Sequence, residues 1–263
     1  MRLRETAPWI AAAAVALAGG LAWRGLWSVM FTRNPQYELR RLEITTGSAK
    51  SEEEIRSITG LREGVNLFSF SASEVRERLL RTTPNIAEAE VSKILPSNVV
   101  VVVRDRVPVA RLYYPNQALD RDGMAFTILP KDAGRYRSLP TIENGRTRHR
   151  VDAGRTLVGA VGTPQGEESR VVRALDVVNA WNAEFGGEPS PPFRLMTLDV
   201  SDSIYLETLT TDSRVVRFVW EEIVDEPAIR VCLRMVARTM ADPGSRGAGQ
   251  FDVLLSAGKV IVR

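Results

Sequence analysis

The sequence predicts an α+β fold in three parts. These are a single N-terminal transmembrane helix, a small domain with two helices on a three-stranded sheet, and a larger mixed α+β domain with an antiparallel sheet. Three observations predict it. Pro8 to Phe31 carries a single charge over roughly 24 residues, enough to cross a bilayer core of about 30 Å. Between Tyr37 and Arg106 the apolar period switches from two to helical, twice, and back to two. From Pro108 onward, short alternating segments separated by turn residues are interrupted by two helical repeats, Val171 to Trp181 and Ile229 to Met240.

Composition limits the function classes. The 263 residues are 25% charged and 44% apolar, ordinary for a globular chain, with a net charge of +3. Arginines are interleaved with acids (Arg76-Glu77-Arg78, Arg104-Asp105-Arg106), so no basic stripe for nucleic acid stands out. A single Cys excludes an internal disulfide and a Cys-rich zinc site. No catalytic, cofactor-binding or metal-binding residue is predicted, and no cofactor.

Arg2 and Arg4 precede the apolar run, which contains Arg24 near its outer end, where the side chain can snorkel to headgroups. Trp23 and Trp27 suit the interfacial aromatic belt. Ala16-Leu17-Ala18 before Gly19 has the form of a signal-peptidase site, but the run continues past it, so an anchor is expected. Arg33, Arg40 and Arg41 flank the far side, so charge alone does not orient the span.

In the small domain, Tyr37-x-Leu39 and Leu42-x-Ile44 suggest a strand with an irregularity at Arg40-Arg41. Ser51 and Glu54 have capping-box spacing, Ile55 and Ile58 give an apolar side, and Gly60 is a helix stop. Ser71 and Glu74 repeat the capping-box spacing before Val75 and Leu79, and Pro84 stops that helix. Leu95-Pro96-Ser97-Asn98 is turn chemistry, and Val99 to Val103 is a continuous run suited to a strand well covered by its neighbours. Pro108 should mark a strand end or an edge.

These residues fall in a definite order: Gly60-Leu61, Gly64, Asn66-Leu67-Phe68, Val75-Arg76, Leu79, Pro84, Ile86, Ala89, Val91, Leu95-Pro96, Arg106, Pro108-Val109-Ala110, then Asp120, Gly123 and Phe126. That order resembles the POTRA domain of the bacterial cell-division protein family FtsQ/DivIB. Asn85 stands where the family has Trp, and Asp105-Arg106 where it has Glu-Arg. The resemblance implies residues 1–7 in the cytoplasm, the span over 8–31, a POTRA domain over 36–107 and an FtsQ-type β domain over 108–263.

In that second domain, Asp120-x-Asp122-Gly123 reads as a turn rather than a calcium loop, because the later ligands are missing. His149 lies in a basic loop without a nucleophile or orienting carboxylate, and reads as solvated. Gly154, Gly159, Gly162 and Gly166 lead into a helix but lack the Lys-Ser/Thr of a phosphate cradle. Trp181 reads as core, and Cys232 as a small buried hydrophobe on the face of Ile229, Leu233, Val236 and Met240. Met196 to Val200, Ile204 to Leu206 and Arg214 to Trp220 read as strands, and a helix starts near Pro227.

Gln250 to Leu255 and Lys259 to Arg263 form a terminal hairpin, similar to the family's closing hairpin, with Asp252 on its acidic position and Gly258 on its glycine. An open edge strand invites strand addition. The residues expected to bind a partner are Phe251, Val253, Leu255, Ser256, Gly258, Lys259, Val260, Ile261 and Val262. The rival reading is an ordinary edge blunted by Lys259 and Arg263.

The resemblance implies a non-enzymatic divisome scaffold of the inner membrane, with its body in the periplasm and enrichment at the septum. It also implies that the bitopic proteins FtsB and FtsL dock by β-strand addition, linking the scaffold to septal peptidoglycan synthesis. Other readings are an envelope-anchored enzyme, or a POTRA subunit of an outer-membrane protein assembly system. A lone His, a lone Cys and no nucleophile elbow weigh against the first. The length, which holds neither a barrel nor tandem repeats, weighs against the second.

Overall fold

A computed structural model describes residues 16–20, 23, 25, 27–47, 49–113, 116–144, 153–157 and 167–263. The chain divides into two compact units, Met1–Asp105 and Arg106–Arg263. The predicted span Pro8 to Phe31 falls in good part outside the described residues. Among the described residues no helix is long and apolar enough to cross a membrane.

The first unit contains β1 (Arg41–Thr45), α1 (Glu52–Thr59), α2 (Ala72–Thr82), β2 (Ile86–Ile94) and β3 (Asn98–Asp105). The sheet order is β1-β3-β2, with β3 parallel to β1 and antiparallel to β2. Ile55, Val75 and Leu79 from the helices meet Ile86, Ala89, Val99, Val101 and Val103 in one apolar cluster. The valine run therefore hides a period of two. Val99, Val101 and Val103 are buried, while Val100 and Val102 on the opposite face are only partly so. Two-sided cover is not what the run reports; β3 is central in the plane of the sheet and packed on one face.

The two helix starts differ. At α1 the capping box is complete: Ser51 Oγ accepts from Glu54 N–H at 3.3 Å, and Glu54 Oε2 accepts from Ser51 N–H at 2.9 Å. Gly60 closes the helix at φ +70°, a conformation glycine adopts without strain. At α2 the predicted box does not form. Ser71 is the N-cap, but its hydroxyl is hydrogen-bonded to Ser73 Oγ at 2.6 Å instead of to the helix backbone.

The second unit holds β4 (Pro108–Leu112), β5 (Gln117–Asp120), β6 (Ala125–Thr127), β7 (Thr141–Glu143), α3 (Glu167–Phe185), β8 (Leu195–Asp199), β9 (Tyr205–Thr210), β10 (Val215–Val219), α4 (Glu226–Ala241), β11 (Gln250–Leu254) and β12 (Lys259–Val262). All nine strands form one sheet in the order β12-β11-β10-β9-β8-β7-β4-β5-β6. It is not the antiparallel sheet predicted from the turns. The pairs β4–β7, β7–β8 and β10–β11 are parallel. For the last two the reason is connectivity: α3 lies between β7 and β8, and α4 between β10 and β11, and a helical crossover returns the chain in the same direction.

Both helices pack on one face of this sheet. Ala174, Leu175 and Val178 of α3 and Ile229, Cys232, Leu233, Val236 and Met240 of α4 share a core with Ile142, Leu198, Leu206, Val216, Phe218, Phe251 and Val253. Val171 and Trp181 lie at its margin. Asp225 caps α4 by accepting from Ala228 N–H at 2.8 Å, and Pro227 sits in its first turn, where no N–H is needed.

Candidate functional site: the open edge of the large sheet

The residues singled out in the first unit are engaged in the fold. Asn66 donates to the carbonyls of Phe31 (2.9 Å) and Asn34 (3.3 Å), and its Oδ1 accepts from Phe68 N–H (2.8 Å). It thereby ties the segment leaving the N-terminal region to the turn before α2. Phe68 completes the joint, with ring centroids 5.3 Å from Phe31 and 5.0 Å from Tyr37. Arg76 Nε donates to the Ala89 carbonyl at 3.0 Å. Asp105 Oδ2 accepts from Ala49 N–H at 2.9 Å, and a Cβ on Gly47 would stand 2.3 Å from that same oxygen, so a larger residue there would have to displace the carboxylate.

In the second unit, Arg106 and Asp120 form a largely buried ion pair at 2.5 Å. The other Asp120 oxygen accepts from Asp122 N–H and Met124 N–H. The Asp-x-Asp-Gly segment is thus a turn, with Gly123 at φ +77°. The Cys232 thiol is buried, and burial together with the Glu222 charge pushes it up to about 11, so it stays a protonated hydrophobe at neutral pH. His149, Gly159, Gly162 and Gly166 lie outside the described residues.

The terminal hairpin builds the candidate site. β12 is the last strand of the sheet and pairs antiparallel with β11 alone among the described residues. Arg263 N–H donates to the Gln250 carbonyl at 2.9 Å, and Gln250 N–H donates back at 3.1 Å. That reciprocal pair fixes the alternation along the ladder: in an antiparallel pair every second residue bonds inward. Ile261 and Lys259, opposite Asp252 and Leu254, are then inward-bonding. Val260 and Val262, opposite Val253 and Phe251, direct their N–H and C=O groups away from β11.

The nine expected partner residues do not play one part. Phe251 and Val253 are 0% and 1% exposed, and β11 is paired on both sides. They belong to the core and have no edge to offer, because period-two alternation turns them onto the helix-covered face. Leu255, Ser256 and Gly258 form the turn, with Gly258 at φ +60°. Lys259 and Val262 are exposed, and Val260 and Ile261 half-buried. The accessible backbone is therefore that of β12.

Sequence reasoning missed Glu222. From the turn after β10, its Oε2 accepts from Leu255 N–H at 2.7 Å, and its Oε1 accepts from Ser256 N–H at 3.1 Å and from Ser256 Oγ at 2.5 Å. Burial pushes this carboxyl up, but the Ser256 hydroxyl and the Leu255 and Ser256 N–H groups outweigh it and hold the carboxyl below its ordinary range. The other end of the hairpin is fastened by Arg263 Nε on Asp252 Oδ2 at 3.3 Å.

The sequence pattern of the POTRA domain, FtsQ-type, matches residues 38–106. Two curated relatives named cell division protein FtsQ are similar to this chain. That of Geotalea daltonii is 28% identical over 132 residues, covering 48% of this chain and 46% of the relative. That of Syntrophotalea carbinolica is 27% identical over 144 residues, covering 49% of each. The match spans about half the length of the curated relatives. The first unit thus matches an FtsQ-type POTRA domain, and over about half its length the chain is similar to proteins named cell division protein FtsQ.

Proposed function

We propose that this chain is a non-enzymatic scaffold of the division machinery that docks a partner by strand addition at β12. The observation that carries the reading is the outer side of β12, unpaired among the described residues, with Val260 and Val262 offering N–H and C=O groups, in a chain that carries an FtsQ-type POTRA domain. A strand laid there would gain main-chain hydrogen bonds at alternate residues, a mode that needs no catalytic set. The partners proposed are bitopic division proteins of the FtsB and FtsL type. Their docking would link the scaffold to septal peptidoglycan synthesis.

The rest of the architecture follows the same proposal. Residues 8–31 anchor the chain in the inner membrane with residues 1–7 in the cytoplasm. Residues 36–107 form the membrane-proximal POTRA module, and 108–263 the docking domain. Enrichment at the septum belongs to this reading. The localisation is tested by protease accessibility of the second unit in spheroplasts.

Docking is tested by co-purifying the full chain with FtsB- and FtsL-type proteins, comparing wild type, Val260→Pro and Val260→Ala. Proline removes an outward N–H and leaves the inward ladder to β11 in place, and alanine controls for the loss of the Val260 side chain from the core margin. Recovery that falls at least tenfold for proline but not for alanine is expected; equal recovery for both removes strand addition.

A further inference from the structure

We propose that Glu222 is a positioning residue for the docking edge, holding the β11–β12 turn so that β12 is presented already ordered. The inference rests on the strand-addition reading of β12 and adds a second element to it.

β12 has only four residues, Lys259–Val262, and one neighbouring strand among the described residues. A strand so short and so placed frays unless its ends are tied. At one end Arg263 is fixed by the reciprocal bonds with Gln250 and by Asp252. At the other, beyond the Leu254–Lys259 pair, the turn is closed by the Gly258 N–H to Leu255 carbonyl bond, 2.9 Å, and by Glu222. Its carboxylate collects all three polar hydrogens of Leu255 N–H, Ser256 N–H and Ser256 O–H. Charge-assisted bonds of this kind are the stronger class. Glu222 is itself held. Its N–H donates to the Val219 carbonyl at 3.0 Å, and the next residue, Ile223, is fully buried. It contacts no outward group of Val260 or Val262, so it acts through the order of the strand. A strand presented in one conformation binds more tightly than one that must first be ordered.

The test uses the full chain in nanodiscs with an FtsB-type protein as probe. Hydrogen exchange is read in the free chain, and affinity in the complex, for wild type, Glu222→Gln, Ser256→Ala and Val260→Pro. Glu222→Gln is expected to speed exchange at Leu255, Ser256 and Ile261 about tenfold, with amides of β8 to β10 unchanged, and to weaken binding by a similar factor. Ser256→Ala, which leaves both backbone donors in place, is expected to give a smaller change in the same direction. Exchange unchanged in both variants overturns the proposal, as does faster exchange with undiminished affinity. If Glu222→Gln does not fold, the Ser256→Ala measurement decides. Undiminished binding by Val260→Pro would instead remove the strand-addition reading itself, whatever Glu222 does.

Discussion

At β6, one end of the nine-stranded sheet, the outer backbone of Ala125 is already occupied; at β12, the other end, the outer backbone has no partner among the described residues. Segment 153–157 runs along β6. Ala125 N–H donates to the Arg155 carbonyl at 3.0 Å, the Ala125 carbonyl accepts from Gly154 N–H at 2.8 Å, and Leu157 is buried. Such cover is how proteins usually blunt an edge. β12 receives no such strap among the described residues, yet it is the strand whose turn is held by a carboxylate and whose end is held by an ion pair. An edge that is both left bare and kept ordered fits recognition better than neglect.

The sharpest way to break this comparison is to test whether β11 and β12 differ energetically as they do geometrically. Phe251→Ala, in the core, should cost about 3–5 kcal/mol in denaturant unfolding. Val262→Ala, 38% exposed on the edge, should stay within roughly 0.5 kcal/mol. Similar costs would mean that the edge is structural. Next, Gly154→Ala strains a residue at φ +91° by about 1–2 kcal/mol and should loosen the strap. Faster exchange at Ala125, with partner affinity unchanged, is the expected result; lost affinity would place docking at the wrong edge.

A smaller effect concerns pH. Because the folded-state pKa of Glu222 is depressed, its contribution is complete above the ordinary carboxylate value of about 4.3 and is lost as pH falls through the depressed value. Protection of the β11–β12 turn, taken relative to the intrinsic exchange rate at each pH, should therefore fall on acidification in wild type and not in Glu222→Gln. The smallest effect is expected away from both edges, at Asp176 on α3. Burial raises its carboxyl, Arg173 lowers it and Glu226 raises it again, for a net rise. Burial disfavours its charged form, so Asp176→Asn should raise the melting temperature slightly at pH 7. The difference should shrink as pH falls through the raised pKa and vanish below the ordinary carboxylate value, where the group is protonated in both the folded and the unfolded chain.

What could be read in the sequence follows from how local each signal is. The Ser51–Glu54 box, the Gly60 stop and the α4 face from Ile229 to Met240 are set within a few residues, and the structure shows them as expected. Ser71–Glu74 has the same spacing but fails, because the neighbouring Ser73 competes for the hydroxyl. Strand direction is not local. The parallel pairs β7–β8 and β10–β11 arise from helical crossovers that the chain order contained, but turn chemistry pointed elsewhere. At the candidate site the hairpin and its edge position were legible, whereas the loss of Phe251 and Val253 to the core required knowing which face the helices cover. Glu222 lies 34 residues from Ser256 in sequence, and no periodicity joins them.

The most direct test of the account is hydrogen exchange of the full chain with and without an FtsB-type partner. The account predicts new protection at the Val260 and Val262 amides, little change at Ile261, which already bonds to β11, and none at Ala125 on the strapped edge. Protection that appears at Ala125, or that leaves Val260 and Val262 exchanging as before while the partner is bound, would contradict it.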